Sequence, residues 1–424
     1  MVRPWIPVLA LLAALGAPAA GGESKAPDSA WRPTQSSPAA GGAATANSPC
    51  DPGRAPVEPV PATLTDVGPG PAAQDWFWVR ADYLGWWLTG SRLPPLVTAG
   101  PPGTPRPQAG VLGAPGTQVL FGDERVHDDY RSGVRITVGG WLDECRTTGF
   151  EVRALVLDRS ADRFIAGSPD GSLVVSRPFV DARTGNQAAE LVSFPGVLAG
   201  AAIGAAESAK FWAVDAVCRK SYCRDCMGYV DVLAGYRYLQ FGDRVRMIEE
   251  LAPLELPGSQ INLVDEFNAS NRFHGGVVGL AAGYTAGAMS VELRANVAVG
   301  ETSSTVAVNG ATRIATPLTG SATFPGGLLA QRTNIGVYRS SDWTVVPDLE
   351  LTVACWLTRS CRVMAGYSVI YWPGVVRAGE QIDLALNPTQ LPPGTLVGPA
   401  RPAFVLHSSD LWAHGFSVGV EFRY

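Results

Sequence analysis

Asp410-Leu411-Trp412-Ala413-His414-Gly415-Phe416-Ser417-Val418-Gly419-Val420-Glu421-Phe422-Arg423-Tyr424 alternates from end to end. Trp412, His414, Phe416, Val418, Val420, Phe422 and Tyr424 fall on one face, while Ser417, Gly419, Glu421 and Arg423 fall on the other. A period of two is the mark of a strand whose faces meet different surroundings. The apolar row has aromatics toward both ends and valines between them. That order suits a strand crossing a bilayer, where aromatic girdles lie at the two interfaces. A tilted spanning strand needs roughly 9 to 11 residues, and this stretch supplies them.

Working outward, nine more segments repeat the pattern: 76–88, 134–142, 148–157, 210–217, 228–239, 272–284, 288–298, 342–357 and 362–372. In the first, Phe77, Val79, Ala81, Tyr83, Gly85 and Trp87 share a face and Arg80 and Asp82 oppose them. The links alternate in length. Segments two and three, four and five, six and seven, and eight and nine are joined by short turns. The other links are long: 89–133, 158–209, 240–271, 299–341 and 373–409. Short turns on one side and long loops on the other predict an all-β fold, an antiparallel transmembrane β-barrel of about ten strands, with both ends on the periplasmic side. A soluble sandwich would also alternate, but it gives no reason for the interleaved link lengths. The most apolar stretch after the first twenty residues, 191–206, contains Pro195, Gly196, Gly200 and Gly204 and reads as part of a loop, not as a spanning helix.

Residues 1–20 read as a secretory signal peptide: Arg3, an apolar run from Trp5 to Leu15, then a small-residue stretch through Ala20. Residues 21–73, rich in Pro, Ala and Gly, cannot bury enough apolar surface to offset the entropy of ordering and read as a disordered linker. Folding information starts at 74, giving a barrel over 74–424. With 48 Gly, 12 Trp, 11 Tyr, 14 Phe and only 17% charged residues, the chain suits many short strands joined by turns. A net charge of −5 and no basic stripe argue against a nucleic-acid partner.

The alternation directs a set of charges inward: Arg80, Asp82, Glu151, Arg153, Asp215, Asp231, Arg237, Glu292, Arg294, Glu350, Arg362, Glu421 and Arg423. With the two signs nearly balanced, these side chains either pair across the lumen or line a narrow, weakly selective path. Ten strands lie nearer the 8-stranded barrels that side chains fill than the open 16- to 18-stranded ones. Ala213, Gly235, Gly366, Ser417 and Gly419 are expected to free a little lumen volume. Cys145, Cys218, Cys223, Cys226 and Cys361 crowd the short turns, and in an oxidising compartment they suggest at least one disulfide; Cys50 in the linker is the candidate for the odd thiol. No second ligand pair stands at zinc spacing. The only cluster resembling catalysis, His127-Asp128-Asp129, reads as solvated loop surface, so no enzyme activity, catalytic residue, metal or cofactor is expected.

Asp265-Glu266-Phe267-Asn268, Asn271 through Gly276, Ser290 through Arg294, Val297 through Gly300, Asn334-Ile335-Gly336, Val345-Val346-Pro347, Gly366-Tyr367, Tyr371-Trp372, Asn387-Pro388-Thr389-Gln390 and Glu421 through Tyr424 resemble the bacterial putative beta-barrel porin family over most of the chain from Trp76. The resemblance implies an outer-membrane barrel and supplies no substrate. The expectation is therefore a porin-like barrel with at most a narrow or gated pore for ions or small solutes. The alternative is a structural or surface-interaction barrel acting through its long extracellular loops. Expected partners are outer-membrane lipid and, through the terminal strand, the barrel-assembly machinery; self-association into a homo-oligomer is open.

Overall fold

The structure is a computed structural model and describes residues 76–208, 211–225 and 227–424. The signal-peptide and linker expectations, with Cys50 and Cys226, lie outside these residues. Ten strands form a closed ring: β1 (Phe77–Leu88), β2 (Arg131–Trp141), β3 (Thr148–Leu157), β4 (Phe211–Arg224), β5 (Gly228–Pro253), β6 (Gln260–Ala286), β7 (Met289–Thr316), β8 (Gly336–Trp356), β9 (Cys361–Val376) and β10 (Ser408–Arg423). Each pairs antiparallel with its neighbours in sequence, and β1 closes the ring on β10 with Arg80 opposite Glu421. Closure leaves the ring no edge with unpaired backbone groups, which the interior of a bilayer demands.

The faces follow the alternation. On β1, Arg80, Asp82, Leu84, Trp86 and Leu88 are buried while Phe77, Val79 and Tyr83 are exposed. On β10, Leu411, Ala413, Ser417 and Glu421 are buried while Trp412, Phe416, Val418, Val420 and Phe422 are exposed. Outside, rings cluster at two levels. Toward the long-link end, Trp212 packs on Tyr238 at 4.8 Å, Tyr238 on His274 at 4.7 Å and Tyr371 on Trp412 at 4.5 Å. At that level His414 shares a 2.8 Å hydrogen bond with Tyr367. Toward the short-turn end, Phe77 meets Phe150 at 6.2 Å, Phe422 and Tyr424 are exposed on the adjoining end of the chain, and Tyr284 is exposed near the same end of β6. These are the two girdles, with Val and Leu between them.

The long links differ from the expectation of loops. β5, β6 and β7 run on for 26, 27 and 28 residues, far more than the roughly 9 to 11 that span a bilayer. Beyond the ring Leu198–Ser208 pairs with β5, Ser160–Ser168 pairs with Leu198–Ser208, and Gly320–Pro325 pairs with β7, while Val97–Gly100, Gln118–Phe121, Val174–Asp181 and Gln187–Ser193 make a second sheet. The stretch 191–206 thus supplies strand, not loop. Between the sheets lies a hydrophobic core that includes Leu96, Phe121, Phe179, Met247, Phe267, Leu328 and Leu386. Outside the membrane the outward face of a strand meets water. The apolar alternation therefore fades there, and the extensions are hidden from pattern reading.

Candidate functional site

The lumen is built in layers. Nearest the short turns, Trp78, Trp141, Tyr229 and Trp356 surround guanidinium groups. Arg219 lies 5.6 Å from the Trp78 ring centre and 5.2 Å from that of Tyr229, and Arg224 lies 4.6 Å from that of Trp141. From this layer inward, all thirteen charges assigned by alternation take part in ion pairs. Arg80 donates to Asp82 at 2.8 Å and Glu350 at 3.0 Å, and Arg237 to Asp215 at 2.7 Å. Arg362 and Arg423 both donate to Glu421, at 2.9 and 2.6 Å. Glu151 holds Arg294, Glu292 holds Arg362, and Asp231 accepts from Arg219 at 2.6 Å.

Sequence reasoning missed four members. Arg135 donates to Asp82 at 2.8 Å and lies 2.7 Å from Glu350. Asp348 pairs with Arg153 at 3.5 Å and with Arg237. Both stand at the inward parity of segments already recognised, so their signal was present. Arg219 and Arg224 were assigned to a turn, because the lipid-facing alternation stops at Val217 while β4 continues to Arg224. In a ring of ten, β3 and β8 stand opposite. Arg153 on β3 reaches Glu350 on β8 at 2.8 Å, so the network crosses the lumen instead of lining its wall.

The small inward residues leave less room than expected. A Cβ at Gly419 would collide with the Asp82 carboxylate, and one at Gly235 with the Ala216 carbonyl. The space is already taken by neighbours.

Toward the long-link end the inward side chains turn apolar: Leu84, Trp86 and Leu88 on β1, Leu155 and Leu157 on β3, Phe211 on β4, Leu239 and Phe241 on β5, Phe273 on β6, Trp372 on β9 and Leu411 on β10 form one cluster. Trp372 donates from Nε1 to Thr302 Oγ1 at 3.0 Å, which fixes the ring across the strand interior. Above this plug a polar collar ties barrel to cap. Asn271 accepts from Val376 N at 2.9 Å and donates to Val376 O at 2.8 Å, and Asp243 accepts from Ala378 N at 2.8 Å.

The cap is held by side chains that satisfy backbone groups. Asp265 accepts from the amides of Leu328, Leu329 and Ala330 at 2.9, 3.2 and 2.9 Å and pairs with Arg177 at 2.8 Å. Asn334 donates to Leu329 O, and Asn387 to the carbonyls of Val397 and Pro399. A buried loop is affordable only when its backbone groups find partners, and these residues provide them.

Of His127-Asp128-Asp129, the two aspartates are exposed as expected, whereas His127 is not solvated surface. His127 is buried with Nδ1 3.4 Å from Asp162, and its carbonyl accepts from Arg131. Burial and the charges of Arg131 and Arg377 push its pKa down to about 3, so the ring is neutral. It is a packed wedge under the cap. Of the cysteines, Cys145 is disulfide-bonded, while Cys218, Cys223, Cys361 and also Cys355 are free thiols. Cys218 and Cys223 lie on β4 and Cys361 opens β9, so these three candidates stand on strands and carry no disulfide. Among the described residues no group of three or more His, Cys, Asp or Glu side chains is placed to hold a metal ion.

A family model described as putative beta barrel porin-7 matches residues 78–424. Among solved structures, the outer membrane protease OmpT from Escherichia coli aligns at 7% identity, covering 83% of this chain and 97% of that one, with a TM-score of 0.43. A Pseudomonas aeruginosa FadL homologue aligns at 7% identity over 83% and 90%, with a TM-score of 0.23. An anion-selective porin from Comamonas acidovorans aligns at 8% over 82% and 98%, with a TM-score of 0.20. No curated protein matches the sequence.

Proposed function

We propose that the chain, which belongs to the putative beta barrel porin-7 family, is a porin-like barrel that rests closed and passes at most ions or small solutes through a narrow or gated path. As a member of that family it resides in the outer membrane. The observation that carries the reading is the pair of barriers in series: ion pairs from β3 to β8 across the lumen, then an apolar plug to which every strand but β2 contributes. In the layer that crosses from β3 to β8, charges of both signs leave no large single-sign field to select ions. The test is single-channel recording on refolded protein in planar bilayers. Wild type should show small, intermittent openings with weak ion selectivity. Arg153→Ala with Trp372→Ala removes a strut and part of the plug and should raise conductance severalfold. A large, steady conductance in wild type would overturn the closed lumen.

A second reading, a surface-interaction barrel, is favoured by the cap: it has its own core and carries Leu256, Leu318 and Val397 exposed at its turns. Rigid scaffolds commonly carry binding function on such segments. Replacing all three with Ser should reduce cell settling or adhesion at equal surface amount; unchanged behaviour would count against it.

A further inference from the structure

At the short-turn end the lumen opens into a vestibule of about 870 Å³, lined by nine arginines against five acidic residues. That volume falls within the roughly 300 to 1,000 Å³ of small-molecule sites. The ion pairs at its wall are oriented. The Arg224 and Arg423 side chains are 28% and 26% exposed, whereas their partners Asp231 and Glu421 are 0% and 4% exposed. In these two pairs the carboxylate is turned into the wall and the guanidinium edge into the water; the Arg362–Glu292 pair is the reverse, at 3% and 18% exposed, so the positive surface is local to Arg224 and Arg423. Asp225, at the rim, opposes this, but its carboxylate is engaged by the amides of Met227 and Gly228 at 2.8 and 2.7 Å.

The guanidinium planes are also preorganised. Arg219 and Arg224 stack against Trp78, Trp141 and Tyr229, which fixes the forks without using their N–H edges. Arg224 Nε and Arg294 Nε are buried and donate to nothing among the described residues. Rigid arginine forks with partly exposed edges, as at Arg224 and Arg423, match the planar oxygens of phosphates and carboxylates. We propose that this vestibule is a binding site for a compact multivalent oxyanion, carrying phosphate or clustered carboxylates, that enters from the periplasmic side. The site requires only that the vestibule meet solution there; it does not require a conducting pore.

Isothermal titration of the refolded full chain with inorganic pyrophosphate, and separately with citrate, tests this at low ionic strength. Saturable binding is expected for at least one probe, weakening as sodium chloride is added. A tighter pyrophosphate complex assigns phosphate chemistry and a tighter citrate complex assigns carboxylate chemistry. Arg224→Gln and Arg423→Gln should each weaken binding at least tenfold. Arg163→Gln, far away on the exposed cap, should leave it unchanged. If neither vestibule variant folds, wild type still decides, because saturable heat that chloride at matched ionic strength does not remove supports the site. No saturable binding of either probe, or equal weakening by the Arg163 variant, overturns it.

Discussion

Glu350 shows what single residues contribute to this lumen. It accepts from Arg80 and Arg153 and lies against Arg135, so three strands are tied to β8 through one carboxylate. A buried charge cluster is weak evidence for net stability, because desolvation offsets much of the attraction, but removing one partner leaves the others uncompensated. Glu350→Gln is therefore expected to cost about 3 to 5 kcal/mol, read as a lower urea midpoint for the refolded barrel. A midpoint within error of wild type would show that the three guanidinium groups find water instead. The same scale explains the stretches that resemble the porin family. Asp265, Asn271, Asn334 and Asn387 are buried and bind backbone amides and carbonyls of the cap and collar. Their role is to let irregular chain sit in a dry place, so they mark the fold and carry no chemistry of their own.

Among the elements, β10 is the one whose sequence is most completely explained by its surroundings. Its outward row meets lipid and its inward row meets Asp82, Arg135 and Arg362. Val418→Arg or Val420→Arg places a charge near the midplane and is expected to cost about 2 to 4 kcal/mol. The penalty arises on the lipid side alone. Ser417→Asn, on the inward row beside the Arg135 guanidinium, should cost much less. Heat-modifiable gel mobility and urea titration in the same lipid check the comparison, and equal losses on the two rows would contradict a bilayer on one side. β5, β6 and β7 show the opposite case. Their inner halves alternate like β10, but their outer halves pair into the cap sheet and lose the apolar outward row. Arg244 and Arg246 stand where a valine would stand in the membrane.

For the whole molecule, the ring fixes the direction of every link. The tip around Gly185, in the exposed turn 182–186, belongs to the cap, whereas 285–287 joins β6 to β7 at the opposite end. An epitope tag at Gly185 should be labelled on intact cells, and one at 285–287 only after the envelope is opened. Reversed labelling would invert the topology. Closure also explains why the barrel holds such a charged interior at all. Ten strands bring opposite walls close enough for arginine and carboxylate side chains to meet, so the charges of the crossing layer pair with one another.

Sequence alone determined the ring: the strand number, the lipid-facing rows and the inward parity of Arg80, Glu151, Arg237 and Glu421 all follow from a period of two imposed by lipid on one face. That signal is local and survives without any knowledge of neighbours. It also held Arg135 and Asp348, at the same parity as residues that were recognised. What only the tertiary structure decided is who meets whom. Nothing near Arg153 in sequence names Asp348 or Glu350, nearly two hundred residues away, because ring closure, not spacing, brings β3 opposite β8. The cap was hidden for a related reason. Its strands lie outside the bilayer, where water on one side no longer enforces an apolar row, and its core forms from segments as distant as Leu96 and Leu386.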